Sequence, residues 1–324
     1  MPFRKHAFAT FAFSACSLAA SSALAVAPQR TFVASYGLDT ATCSLSAPCR
    51  GFQAAINAVA AGGEVVAIDT AGYGAMEIHK SVSVIVPPGI HAGLSPATGI
   101  PLPGYPGQSG VVLIDIQNTD IVVLRGLNIN HQGTVTGGIE WIGTNGGTVQ
   151  IENVVVNGFP NEGLYVQAPG GKLLITDSTF RNNGIGIYAG LASALDTGLT
   201  SGVSIDHALI ESSAEGIRVL GGAGLIHVSN TVLRTNSVAI HVQNADASIA
   251  YAGVFLDHSN VVGNGTFYVL EGIDGTALLL AAASTVYGGF ATSTRTGYSS
   301  IYSLGGQNLV GAAAGFFDQT GPPQ

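Results

Sequence analysis

The stretch Gln150-Ile151-Glu152-Asn153-Val154-Val155-Val156 alternates polar and apolar residues, breaks at Asn153 and then resumes its alternation. A period of two marks a β-strand rather than a helix, and an Asn at the break marks a turn. The same figure recurs along the chain. Val123-Leu124-Arg125-Gly126-Leu127-Asn128-Ile129 precedes it, and Leu174-Ile175-Thr176-Asp177-Ser178-Thr179-Phe180 and Ser204-Ile205-Asp206-His207-Ala208-Leu209-Ile210 follow. Two more copies are His227-Val228-Ser229-Asn230-Thr231-Val232-Leu233 and, with a one-residue slip, Phe255-Leu256-Asp257-His258-Ser259-Asn260-Val261. The fourth positions, 126, 153, 177, 207, 230 and 258, are spaced by 27, 24, 30, 23 and 28 residues. A helical or coiled-coil repeat loses register under such variation, whereas a solenoid places the extra residues in loops on one side.

A second short strand follows each figure some ten residues later, at 139–141, 164–166, 187–189, 217–219, 240–242 and 267–269. A small residue usually precedes it (Gly138, Gly163, Gly186, Gly216, Ala239), as a tight turn requires. Three short strands per turn of about 25 residues describe an all-β, right-handed parallel β-helix solenoid. Only 9% of residues are charged, which suits a chain whose backbone amides pair between coils and whose aliphatic side chains fill a cylinder. Helical bundles need far more Glu, Lys and Arg on their wet faces.

Eleven Lys and Arg against nineteen Asp and Glu leave a net charge of −8. That balance argues against nucleic acid as a partner, because phosphate-backbone affinity rests on clustered basic residues. After residue 25 no uninterrupted apolar run reaches the length of a membrane span. No C-terminal pattern of outer-membrane strands occurs either. Residues 1–25 combine a basic start (Arg4, Lys5), an apolar centre and Ala23-Leu24-Ala25, and so read as a secretory signal cleaved after Ala25. Export to the periplasm or medium follows. The competing reading is a lipoprotein signal, since Phe13-Ser14-Ala15-Cys16 is lipobox-like. Cleavage after Ala25 would leave Cys43 and Cys49, an even count in an oxidising compartment, and a small-loop disulfide is expected. A monomer is expected.

Phe52-Gln53-Ala54-Ala55-Ile56-Asn57-Ala58-Val59, followed by Gly62-Gly63-Glu64-Val65-Val66, resembles the opening of pectate-lyase-like β-helix proteins. Phe52, Ile56 and Val59 lie at the spacing of one helical face. The resemblance implies an N-terminal capping helix that covers the open strand edges at the start of the cylinder. Asn182-Asn183-Gly184-Ile185-Gly186-Ile187-Tyr188 is similar to the coil repeat of that superfamily. The layout also resembles exported right-handed β-helix repeat proteins that have no assigned reaction. The organisation expected is a signal at 1–25, an N-terminal segment with disulfide and capping helix at 26–63, the β-helix at 64–290, and an irregular last coil and tail at 291–324. Two stretches depart from the repeat: the Pro- and Gly-rich 92–110, and 190–202, which holds Asp196.

If the flanking residues of the second strand point inward, its central residue points out. The outward column is then Glu140, Tyr165, Tyr188, Arg218, His241 and Tyr268, with neighbours about 4.8 Å apart. Aromatic faces pack on sugar rings, and Arg hydrogen-bonds hydroxyls or carboxylates. The resemblance implies that substrates lie along this sheet. Glu140, Tyr165 and Tyr268, with Asp196 from the overhanging insertion, are candidate substrate-binding residues, and Arg218, His241 and Tyr188 are candidate catalytic ones. Two functions stay open: a structural or glycan-contacting role, and a polysaccharide lyase or epimerase acting on uronate polymers, with Arg218 holding the carboxylate and His241 or Tyr188 moving the proton.

The family's Arg-x-Pro-x-x-Arg element is absent. Ile205-Asp206-His207 and Leu256-Asp257-His258, which resemble part of its Ile-Asp-His motif, fall at the repeat's corner, where Asp and Asn favour turns. Asn118-Thr119-Asp120 copies a polygalacturonase tripeptide without its companion elements. Glu211, expected to end a strand, and Glu215, expected to begin a turn, make a weak carboxyl pair. No cofactor is implied. Calcium would suit an acidic polymer, yet no Gly-Gly-x-Gly-x-Asp nonapeptide occurs and no calcium site is assigned.

Overall fold

A computed structural model describes residues 26–143, 146–190, 202–221, 224–245, 251–289, 293–304, 309–310 and 318–320. Residues 1–25, where a signal and Cys16 are expected, and Asp196 lie outside the described residues. The chain winds as a parallel β-solenoid of about six turns. Each regular turn contributes three strands. One turn runs through Thr148–Glu152, Val155–Asn157 and Glu162–Gln167, and the next through Lys172–Thr176, Thr179–Arg181 and Ile185–Gly190. Each strand of the first turn pairs in parallel with its counterpart in the second. Thr266–Ala282 and Thr294–Ser303 run across two faces of the cylinder without a break and continue the parallel stacking.

The register makes residues two dozen apart into vertical neighbours. Leu124, Ile151, Ile175, Ile205, Val228 and Leu256 form one interior column through successive pairings, and each is 0% exposed. The short-strand face supplies another in Ile129, Val156, Phe180, Ile210, Leu233 and Val261. A fully buried aliphatic side chain contributes roughly 1.5–3 kcal/mol, so these ladders are the main cohesive force of the cylinder.

The corners explain the break in each repeat. Gly126, Asn153, Asp177, His207, Asn230 and His258 all have positive φ, between 46° and 78°. They turn the chain through the left-handed region, which Asn, Asp and His tolerate better than β-branched residues. In the two Asp-His pairs the His is therefore the turn residue, and Asp206, which ends the strand before it, is tied up beside it. Partial burial works against its charge, but hydrogen bonds from Asn230, Ser229 and His207 outweigh it and hold its pKa down at about 2. The slip expected at the last copy is absent, since Val228 pairs with Leu256 and Leu233 with Val261 in unbroken register. Behind the corners, buried polar side chains form two further ladders. Ser178, Thr231, Ser259 and Ser284 each accept a backbone N–H from the coil before, and Asn183, Ser213, Asn236 and Asn264 do the same at the next corner.

At the N-terminus, Cys43 and Cys49 form the expected disulfide. The helix Phe52–Ala58 buries Phe52, Ala55 and Ile56 and packs against Arg30–Val33, Gly63–Ala67 and Met76–Ile78. Thr31 Oγ1 donates to Ala55 O at 3.1 Å. Among the described residues no helix is long and apolar enough to cross a membrane.

Candidate functional site

The longest strands of the regular coils share one face: Ser109–Ile114, Gly137–Ile142, Glu162–Gln167, Ile185–Gly190, Glu215–Leu220, Val238–Asn244 and the start of Thr266–Ala282. Ile187 and Ala189, Ile217 and Val219, and Ile240 and Val242 point into the core. The residue between each pair faces out. Pairing in register then aligns Leu113, Glu140, Tyr165, Tyr188, Arg218 and His241 in one column.

Strict alternation fails one step earlier in each strand. Gly163, Gly186, Gly216 and Ala239 are buried next to an equally buried Leu164, Ile187, Ile217 and Ile240. A Cβ on Gly216 would come within 2.6 Å of Ala239 O, so the coils approach too closely there for most side chains. This irregularity brings the residue three before the column outward beside it. Glu162, Ile185, Glu215 and Val238 form that second column. A third outward column, Gln167, Gly190, Leu220, Gln243 and Glu271, closes the other side, Gln167 and Gly190 each ending their strand.

The polar groups converge around Arg218. Its guanidinium lies over the Tyr188 ring, 5.4 Å from the centroid, and Tyr188 packs against Tyr165 with centroids 5.1 Å apart. Arg218 Nε is 3.8 Å from Glu215 Oε2. His241 Nδ1 donates to Glu215 Oε1 at 3.1 Å, and His241 Nε2 is 3.7 Å from Glu271 Oε2. Gln243 Nε2 donates to the same Glu271 oxygen at 2.9 Å. Burial opposes ionisation of Glu215, but the His241 hydrogen bond and the charges of His241 and Arg218 outweigh it and hold the carboxyl below its usual range. An ionised carboxylate only accepts, so Nδ1 is the donor in the His241–Glu215 hydrogen bond. Of six buried side-chain polar atoms without a hydrogen-bond partner among the described residues, three belong to this cluster: Glu215 Oε2, Arg218 Nε and His241 Nε2. Arg218 Nε and Glu215 Oε2 face each other at 3.8 Å and His241 Nε2 faces Glu271 at 3.7 Å, so the cluster pairs its charges without closing its hydrogen bonds.

The start of the column is covered. Leu102, Leu113, Ile142 and Tyr165 make a small apolar cluster outside the cylinder, with Ile100, Tyr105 and Tyr188 against it. Beneath this cover Glu140 is 2% exposed and its Oε2 has no hydrogen-bond partner. Burial, with the charge of Glu162 in second place, pushes the Glu140 carboxyl well above its usual range. Burial also raises Glu162, against the pull of Arg218.

Tyr165, Tyr188, Arg218 and His241 thus stand together as the alternation predicts, and Glu140 stands in line with them but sealed. Tyr268 does not join them. It pairs with Ile240, is 8% exposed and packs in the main core, and the outward place beyond His241 belongs to Val269. Phe267 fills the position that Gly or Ala holds in the other coils, so the Phe-Tyr-Val run reads one residue out of phase. Glu215 begins a long strand rather than a turn, while Glu211 ends Leu209–Glu211 on another face and pairs with Arg234 at 2.8 Å. Sequence reasoning missed Glu215, Glu162, Gln243 and Glu271 as members of the site. The recurring small residue before each inward Leu or Ile was the available signal for the first two. Among the described residues, no group of three or more His, Cys, Asp or Glu could hold a metal ion.

No protein-family model matches the sequence, and no curated protein does. Solved structures do match. The chain superimposes on pectate lyase Pel9A with a TM-score of 0.63 at 15% identity, over 91% of this chain and 79% of that one. It superimposes on an alginate lyase from Paenibacillus sp. str. FPU-7 with a TM-score of 0.55 at 16% identity, over 83% and 95%. A rhamnogalacturonan lyase gives a TM-score of 0.55 at 11% identity, over 87% and 89%. The fold is the pectate-lyase-like right-handed β-helix. Within that β-helix, the described long-strand face carries the Tyr188–Arg218–His241–Glu215 cluster.

Proposed function

We propose that the chain is an exported β-helix protein whose long-strand face contacts a polysaccharide, and that uronate-bearing polymers are the class it takes. One observation carries the reading. A floor of Tyr188 and Arg218, with the buried Tyr165 packed behind Tyr188, lies beside three buried polar atoms that have no hydrogen-bond partner among the described residues. Such a floor offers sugar rings an apolar surface, and Arg218 offers their hydroxyls or carboxylates charged donors. The structural neighbours named for pectate, alginate and rhamnogalacturonan support the carbohydrate class. The 1–25 signal pattern and the disulfide support export.

The test is affinity electrophoresis through gels containing polygalacturonate or alginate. Retardation of the wild type, with Arg218→Ala weakening it at least about tenfold, is expected from the loss of a charge-assisted hydrogen bond worth roughly 1.5–3 kcal/mol. Absence of retardation in both gels refutes the reading.

Lyase or epimerase chemistry is the second reading, favoured by the orientation of His241. Glu215 holds the ring at Nδ1, and Nε2, which has no hydrogen-bond partner among the described residues, is the proposed base beside Arg218. An ultraviolet-absorbing unsaturated product, abolished in His241→Ala, supports elimination. Exchange of the sugar α-proton with deuterated solvent, without cleavage, supports epimerisation. Binding with neither signal leaves contact as the function.

A further inference from the structure

We propose that the long-strand face receives the terminus of a saccharide chain rather than a stretch of its interior, with Leu102 and Tyr105 forming the end wall. This rests on the saccharide reading of the same face and adds which part of the polymer it takes.

The outward column runs unbroken in register from Leu113 to His241, so a polymer lying along it would meet one coil about every 4.8 Å. Accessibility along that line is one-sided. Leu113, Glu140 and Tyr165 are 1%, 2% and 6% exposed, whereas Tyr188, Arg218 and His241 are open in part. The cause is a built feature. Ile100–Pro101 folds back antiparallel onto Ser109–Ile114, the one antiparallel strand pair among the described residues. The turn between them is tied by backbone hydrogen bonds from Leu102 to Gln108, from Tyr105 to Leu102 and from Gln108 to Tyr105, at 3.1–3.2 Å.

This turn seats Leu102 in the cluster with Leu113, Ile142 and Tyr165, and sets the Tyr105 ring edge-on to Tyr165 at 6.2 Å. The Tyr105 hydroxyl donates to Gln167 Oε1, which also accepts from the Tyr165 hydroxyl. A chain continuing past Tyr165 would have to occupy the space of Leu102 and Tyr105. A chain that ends at Tyr165 instead presents its last ring to an apolar wall and its hydroxyls to the Tyr105–Gln167–Tyr165 network.

Counting proteins per chain tests this. Oligogalacturonate fractions of short, intermediate and long defined length are titrated into the full protein by isothermal calorimetry. The expected result is one protein per chain at every length. In the double variant Leu102→Ala/Tyr105→Ala, with its fold checked by circular dichroism, the number per chain is expected to rise with length. Stoichiometry that grows with length in the wild type overturns the end wall while leaving the saccharide reading in place. No binding at any length overturns both. If the double variant fails to fold, the wild-type length series decides alone.

Discussion

Glu140 shows how one residue can stand in the outward column and yet act chiefly on stability. It stands in register between Leu113 and Tyr165, but the Leu102–Tyr105 turn seals it, and its carboxyl keeps its proton well above the usual range because burial, and then the charge of Glu162, penalise the ion. In the unfolded chain a Glu loses its proton near pH 4.3. Above that pH the unfolded state binds fewer protons than the folded one at this site, so folding stability falls as pH rises, by up to about 1.4 kcal/mol per pH unit until the folded group ionises. Glu140→Gln removes this slope while keeping the shape. The melting temperature of the variant, relative to wild type, is therefore expected to rise between pH 5 and pH 8; a constant difference across that window would show that Glu140 is ionised in the folded protein. Glu215, held ionised by His241 and Arg218, has the opposite sign. Its contribution is present above pH 4.3 and is lost as acid brings the folded carboxyl to its lowered pKa.

At the scale of an element, the corners matter more than the strands. Asn236 illustrates the cost of a corner. Its Oδ1 accepts the Ser213 N–H at 3.0 Å, and its Nδ2 donates to Ile210 O at 3.1 Å and to Asn264 Oδ1 at 3.1 Å, all buried. Asn236→Ala removes the acceptor of the Ser213 N–H and the side-chain donor to Ile210 O, while Asn264 Oδ1 keeps the Asn236 backbone N–H, and urea unfolding is expected to show a loss of at least about 2 kcal/mol. A loss under about half a kcal/mol would mean that water replaces the amide. The same corners explain what could be read beforehand. Residues 126, 153, 177, 207, 230 and 258 break the alternation because the chain passes through positive φ there, so the repeat was legible as a repeat. The column at Tyr165, Tyr188, Arg218 and His241 was legible because pleating alternates around an Ile or Val. Glu215 and Glu162 were not, because the buried Gly before the inward residue shifts the phase. Tyr268 was misplaced for the same reason, with Phe267 standing where that small residue belongs. The Leu102–Tyr105 wall was hidden because a Pro- and Gly-rich stretch shows that a loop exists and nothing about what it covers.

The whole molecule is a quasi-one-dimensional stack, in which each coil meets its neighbours above and below and little else. The low charge and high aliphatic content follow from that geometry, since every coil contributes interior positions to the same columns. Damage should therefore spread along the axis. Ile205 is 0% exposed and pairs with Ile175 below and Val228 above. Ile205→Ala is expected to cost roughly 2–5 kcal/mol, the range for truncating a buried aliphatic side chain. Amide exchange should locate that cost. Protection is expected to fall most in Gly202–Asp206, next in Lys172–Thr176 and Leu225–Ser229, and least in the distant Val82–Ile85. Graded loss follows if coil–coil interfaces carry separate free energies and the stack opens locally around a weakened coil. An equal loss at Val82–Ile85 and at Lys172–Thr176 would mean that the cylinder opens only as one unit, so that coupling between coils exceeds the stability of any single coil.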